Sequence, residues 1–162
     1  MENLAGLEKL ENIGGEFWIT NNLNISSIEN LQSLTEIAGG LRINGTSNLQ
    51  SLDGLDNLVV VIGGITLSGN IALSSIDALQ NVDPDLLPLL IIEDNPMLSS
   101  CEIDPVCEVI FNGSTAVLTI ENNAIGCDSE EEVEQACILF SSEEIIAGES
   151  VLYPNPADQY II

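Results

Sequence analysis

The feature that most restricts what this chain can fold into is a repeat of fixed length. Apolar residues recur every 24 positions in columns: Leu4, Ile28, Leu52 and Ile76; Leu7, Leu31, Leu55 and Leu79; Leu10, Leu34, Leu58 and Val82. Phe17, Leu41 and Ile65 form a further column, as do Ile19, Ile43 and Leu67, and Ile25, Leu49 and Leu73. A unit this short cannot bury its own apolar side, so a constant period of this size means that each copy is covered by the copies before and after it. The expected fold class is mainly β with short helices: a right-handed leucine-rich-repeat or β-helix-like solenoid of about five coils. It has a parallel sheet and a cysteine-bearing helical C-terminal cap.

Within one copy the pattern changes three times. Leu-x-x-Leu-x-x-Leu has a spacing of three, too tight for an α-helical stripe and wrong for strand alternation, and predicts extended or 3₁₀-like turns. A glycine pair follows (Gly14-Gly15, Gly39-Gly40, Gly63-Gly64), read as a sharp bend or positive φ. The next residues, Phe17-Trp18-Ile19, Leu41-Arg42-Ile43 and Ile65-Thr66-Leu67, alternate apolar and outward positions. They predict short strands that stack about 4.8 Å apart into one parallel sheet. After the strand stand Asn21, Gly45 and Gly69, types that tolerate the left-handed region, then Asn22, Thr46 and Asn70, whose side chains are placed to bond across adjacent turns as a ladder.

The fourth copy is looser. Asn81 to Asp85 interrupts it and adds a residue, Leu90-Ile91-Ile92 is its strand, and Cys101 stands where Ile76 stood one copy earlier. Asp104-Pro105 predicts a short helix to about Ile110, with Asp104 as N-cap and Pro105 at the first helical position. Leu118-Thr119-Ile120 is a fifth strand, and Ser129 with Glu132 forms a capping-box pattern for a helix to about Cys137. Four cysteines allow three pairings. The spacing of adjacent coils favours Cys101 with Cys127 and Cys107 with Cys137, and disulfides place the chain in an oxidising, extracytoplasmic compartment. No C-x-x-C occurs, so a zinc site is not expected.

Charge narrows the functions. Lys plus Arg number 2 against 26 Asp plus Glu, a formal net charge of -24. That field repels phosphate backbones and anionic lipid heads, so no nucleic-acid partner and no membrane-surface partner is expected. Histidine is absent, which removes the side chain most used for proton transfer near neutral pH and for transition-metal ligation. No catalytic residue, metal ligand or cofactor is assigned. The acids are read as solvating; calcium coordination and an acidic face for a basic partner are the alternatives, and no calcium-loop motif is present. No apolar run is long enough for a transmembrane segment. The start, Met1-Glu2-Asn3 followed at once by the repeat, does not read as a signal peptide, and its opening inside a copy leads us to expect residues upstream.

Two resemblances rest on these residues. The pattern L-x-x-L-x-x-L, then IGG-x-L-x-I, then N-x-x-L-x-S-L from Leu4 to about Leu98 resembles the leucine-rich, receptor L-domain-like repeats of bacterial surface proteins. SSC-x₅-C followed by NNAIGC-x-S-x-EEV-x-x-AC is similar to the cysteine-bearing piece that closes them. Tyr153, Pro154, Asn155, Pro156 and Ala157 resemble the opening of the type IX secretion C-terminal sorting domain. The first resemblance implies binding. The second implies the type IX secretion machinery as a partner and a secreted or outer-membrane-attached cell-surface location. The chain then divides into leucine-rich repeats (1–100), a disulfide-containing cap (101–138), a linker (139–150) and the truncated start of a sorting domain (151–162).

Solenoids commonly bind on the outward face of their sheet. Here that face would carry Trp18 and Thr20, Arg42 and Asn44, Thr66 and Ser68, Ile91 and Glu93, and Thr119 and Glu121. It holds the only Trp and one of the two basic residues, the types that most often dominate interface energies, and the two are placed to stack as a cation–π pair. Trp18, Thr20, Arg42, Asn44, Thr66 and Ser68 are the candidate ligand-binding residues; the competing reading is that Trp18 merely covers the edge of the first coil. The expected function is a secreted or cell-surface, non-enzymatic binding or adhesion module for a protein or glycan. The alternatives are a structural spacer or accessory domain of a larger secreted enzyme and, behind it, a β-helix polysaccharide-active enzyme using paired carboxylates.

Overall fold

A computed structural model describes residues 3–111 and 116–146, with side chains to residue 139. Its largest sheet has five parallel strands in chain order: β2 (Phe17–Thr20), β4 (Leu41–Asn44), β6 (Ile65–Ser68), β7 (Leu89–Glu93) and β8 (Val117–Glu121). The register follows the sequence columns, Phe17 to Leu41 to Ile65 to Leu90 to Leu118, and Ile19 to Ile43 to Leu67 to Ile92 to Ile120. Side chains alternate across a strand, so this register turns both columns inward together. A second sheet consists of three parallel two-residue strands, β1 (Asn12–Ile13), β3 (Glu36–Ile37) and β5 (Val60–Val61). The sequence reading did not anticipate it.

The core is continuous along the repeats. Ile28, Leu31, Leu34, Ile37, Leu41, Ile43 and Leu49 are buried, and so are their counterparts Leu52, Leu55, Leu58, Val61, Ile65, Leu67 and Leu73 in the next copy. In the first copy Leu4, Leu10, Ile13 and Phe17 pack against that core while only partly buried, and Leu7 is exposed. The spacing of three resolves into turns with i to i−3 hydrogen bonds: Leu31 N donates to Ile28 O, Leu34 N to Leu31 O, Leu55 N to Leu52 O and Leu58 N to Leu55 O, at 2.8–3.0 Å. The first of these turns is a 3₁₀ helix, Glu29–Leu31, and so is its counterpart two copies on, Asp77–Leu79.

The glycine pairs lie at the expected bends, with Gly14, Gly15 and Gly39 in bends and Gly63 in a turn, but positive φ is not what they share. Of the six residues only Gly64 has positive φ, at 87°. The reason for glycine is close approach of one copy's backbone to the next: a Cβ on Gly39 would lie 2.6 Å from Gly15 C, and one on Gly63 would lie 2.4 Å from Gly40 N. Positive φ is found also at Gly6, Gly54 and Gly126, and recurs in the turn after each strand of the five-stranded sheet, at Asn21, Gly45, Gly69, Asp94 and Asn122. This is where the chain reverses away from the sheet.

The next residue in each turn builds a buried ladder. Asn70 Oδ1 accepts from Thr46 N (3.1 Å) and Thr46 Oγ1 (2.8 Å), and Asn95 Oδ1 accepts from Asn70 N (3.1 Å). Asn123 Oδ1 accepts from Asn95 N (3.1 Å) and from Asn95 Nδ2 (3.0 Å). The amide nitrogens donate to strand carbonyls: Asn70 to Ile43 O, Asn95 to Leu67 O, and Asn123 to Ile92 O. From Asn70 on, each copy therefore satisfies the buried turn N–H of the copy before it, which is costly to leave unpaired. Asn22, at the same position in the first copy, is only half-buried, and its Nδ2 donates to Thr20 O.

At the other end two helices close the stack. α1 (Asp104–Phe111) lies between β7 and β8, and α2 (Glu130–Ile146) follows β8. Cys107 N donates to Ile103 O, so Asp104 is already in the first turn and does not cap the helix as expected. Ser129 Oγ accepts from Glu132 N at 3.3 Å, and the Glu132 carboxylate reaches back to Gly126 N (2.8 Å) and Asp128 N (3.1 Å). Disulfides join Cys101 to Cys127 and Cys107 to Cys137, the second tying α1 to α2. The second helix continues nine residues past Cys137, through the first part of the segment expected to be a linker. Residues 147–162, which include Tyr153, Pro154, Asn155, Pro156 and Ala157, lie outside the described residues.

Candidate binding face

The outward positions of the five-stranded sheet form two rows across the strands. One runs Trp18, Arg42, Thr66, Ile91, Thr119; the other runs Thr20, Asn44, Ser68, Glu93, Glu121. Trp18, Thr20 and Arg42 are exposed, and Asn44, Thr66 and Ser68 are half-buried. The register thus brings the six candidate residues onto three adjacent strands.

Trp18 is 58% exposed, yet its orientation is set on two sides. The Arg42 guanidinium carbon lies 5.2 Å from the ring centroid, a cation–π contact. Trp18 Nε1 donates to Glu16 Oε2 at 3.0 Å, and the same oxygen accepts from Gly40 N at 3.0 Å. Glu16 was not among the candidates. Its signal was its place two residues before Trp18 on the same face of the strand, but nothing in the repeat columns marks it.

Arg42 makes no ion pair among the described residues; its recorded contact is the indole. In a chain with 26 acids and 2 bases, the sole arginine is thus left with its hydrogen-bonding edge unclaimed by a carboxylate. Beside it on β4, Asn44 Oδ1 is buried without a hydrogen-bond partner, a cost that a bound donor would remove once the amide turned outward. Negative charge enters the face at Glu16, beside Trp18, and again on the last two strands at Glu93 and Glu121.

A separate groove of about 640 Å³ lies at the closed end between α1, β8 and α2. Val109, Ile110 and Leu118 line it with Glu130, Glu131 and Glu134 at its rim. No group of three or more His, Cys, Asp or Glu residues among the described residues is arranged to hold a metal. No helix among the described residues is long and apolar enough to cross a membrane.

Parallel strands spaced 24 to 28 residues apart and a disulfide-closed helical end agree with what a comparison with known families finds. The family model described as Receptor L domain matches residues 11–139, well over half of the chain, and the protein belongs to that family. Receptor L domains are non-enzymatic, ligand-binding domains. Comparison with curated proteins and with solved structures finds no match.

Proposed function

We propose that this protein is an extracellular binding module, a short right-handed solenoid of about five coils that recognises a protein or glycan on the outward face of its five-stranded sheet. The observation that carries this reading is the Glu16–Trp18–Arg42 arrangement: a largely exposed indole fixed in orientation by a hydrogen bond and a guanidinium. An aromatic ring held in place costs little further entropy when a ligand covers it. Thr20, Asn44, Thr66 and Ser68 supply hydrogen-bonding groups around it. The two disulfides support an oxidising location, and the Tyr153–Ala157 motif supports export by the type IX route to the surface of a Gram-negative bacterium.

Trp18→Ala and Arg42→Ala should each weaken capture of the ligand found on a protein and glycan array, with the melting transition close to that of the parent. Thr119→Ala, two strands beyond Thr66 on the same face, should leave capture unchanged. Equal losses in all three variants would refute a localised site.

A further inference from the structure

The small size of the face and the state of Arg42 decide between ligand classes, and the inference below rests on the binding face just proposed. Five strands spaced about 4.8 Å apart and about five residues tall present roughly 300 Å². A stable protein partner covers about 800 Å² on each side, so this face alone is too small for one. It suits a short ligand lying across the strands. The groups available are an aromatic ring, hydroxyls, a carboxamide and one guanidinium, spread over the rows that begin at Trp18 and Thr20.

We infer that the face binds an oligosaccharide carrying a carboxylate, with the acid group paired to Arg42. The guanidinium fork matches a carboxylate bidentately, and it is exposed and free of any internal acid among the described residues. Trp18 stands on the outermost strand of the sheet. One side of its ring is under Arg42, no strand flanks the other among the described residues, and the residue is 58% exposed, which leaves ring surface for the C–H face of a pyranose. Arg42 and Asn44 are two residues apart on one face of β4, a separation of about 7 Å that lets one sugar residue reach the guanidinium with its carboxylate and the Asn44 carboxamide with a hydroxyl. The net charge of -24 disfavours densely sulfated or phosphorylated chains, whose many charges add to the repulsion. Of the acids on this face, Glu16 has its Oε2 engaged by Trp18 Nε1 and Gly40 N and Glu93 lies two strands from Arg42, so a single ligand carboxylate can pair with the guanidinium.

The test is titration calorimetry of the intact protein with uronic-acid oligosaccharides and with the same oligosaccharides after reduction of the carboxyl group to an alcohol. The parent should bind the acid form about tenfold more tightly than the reduced form, as expected for one charge-assisted pair. Arg42→Gln should erase that preference, and Arg42→Lys should restore part of it. Both substitutions are at an exposed side chain, and unchanged far-ultraviolet dichroism verifies the fold. Equal affinity for the two forms, with both lost in Trp18→Ala, would overturn the acidic ligand while leaving the binding face in place. Saccharide binding that survives every substitution on the face would overturn both. Absence of binding to either form would overturn the inference.

Discussion

Replacing Asn95 by alanine tests whether the buried ladder is a stabilising part of this fold. Asn95 is fully buried and makes bonds in both directions: Oδ1 accepts from Asn70 N at 3.1 Å, and Nδ2 donates to Leu67 O at 3.1 Å. Removing its side chain leaves those two backbone groups short of a partner, at about 1–3 kcal/mol for each buried polar group, or about 2–6 kcal/mol together. A domain of this kind has about 5–15 kcal/mol in total, so the variant should lose a large part of its stability. With a urea dependence of about 2 kcal/mol per M, the midpoint should fall by about 1–3 M. Asn22→Ala is the control, since the Asn22 amide sits at the solvent edge and donates to Thr20 O; it should cost no more than about 0.5 kcal/mol. Urea titrations followed by Trp18 fluorescence and by far-ultraviolet dichroism, with the disulfides intact, give both numbers. If Asn95→Ala falls within about 0.5 kcal/mol of Asn22→Ala, the reasoning from unsatisfied turn groups is wrong.

Two further outcomes follow from local geometry. Gly63→Ala should destabilise by about 1–3 kcal/mol or more, because its Cβ would meet Gly40 N at 2.4 Å, whereas Gly15→Ala should be neutral or slightly stabilising, since nothing lies within 4 Å of its Cβ; equal melting temperatures for the two would refute the close-approach account. The Glu8 carboxyl is held below its ordinary range, chiefly by the backbone N–H of Gly6 and also by Asn30 Nδ2. A depressed carboxyl contributes stability above its unfolded pKa and loses it as pH falls through the folded value. An NMR titration should therefore give Glu8 a lower midpoint in the folded chain than in urea, and a higher one would reverse the assignment.

Much of the architecture was legible because burial on two sides forces a periodic sequence. Ile19, Ile43, Leu67, Ile92 and Ile120 could be aligned before any coordinates, since a shift by one residue would turn each of them to solvent. The second sheet was not legible: two residues such as Glu36–Ile37 are too few to show an alternation, and Val59 to Ile62 reads as one apolar run. The length of α2 was hidden for a different reason. Ser141, Ser142, Glu143 and Glu144 lack an apolar stripe, so the segment reads as solvated linker although its backbone is helical. The glycine pairs were visible, but a sequence does not distinguish glycine kept for its φ from glycine kept for a neighbour's backbone. On the candidate face, the meeting of Trp18 and Arg42 followed from the 24-residue spacing. The restraint by Glu16 needed coordinates, because a carboxylate beside a strand is usually just solvated.

The ladder and the sulfur bridges lie unevenly along the chain, and this gives the molecule a direction under load. From Thr46 to Asn95 each rung is held by a carboxamide from the copy that follows, and the last rung, Asn123, donates to Cys127 O, inside the segment fixed by Cys101 and Cys127. The copies before Cys101 have no covalent link to their neighbours beyond the main chain. Traction on the first strand would peel copies off singly at low force, while the end beyond Cys101 would resist until a sulfur–sulfur bond broke. If the protein is tethered through its C-terminal side, the tether joins the end that holds, and the Trp18 strand is the first to yield when a bound ligand pulls away.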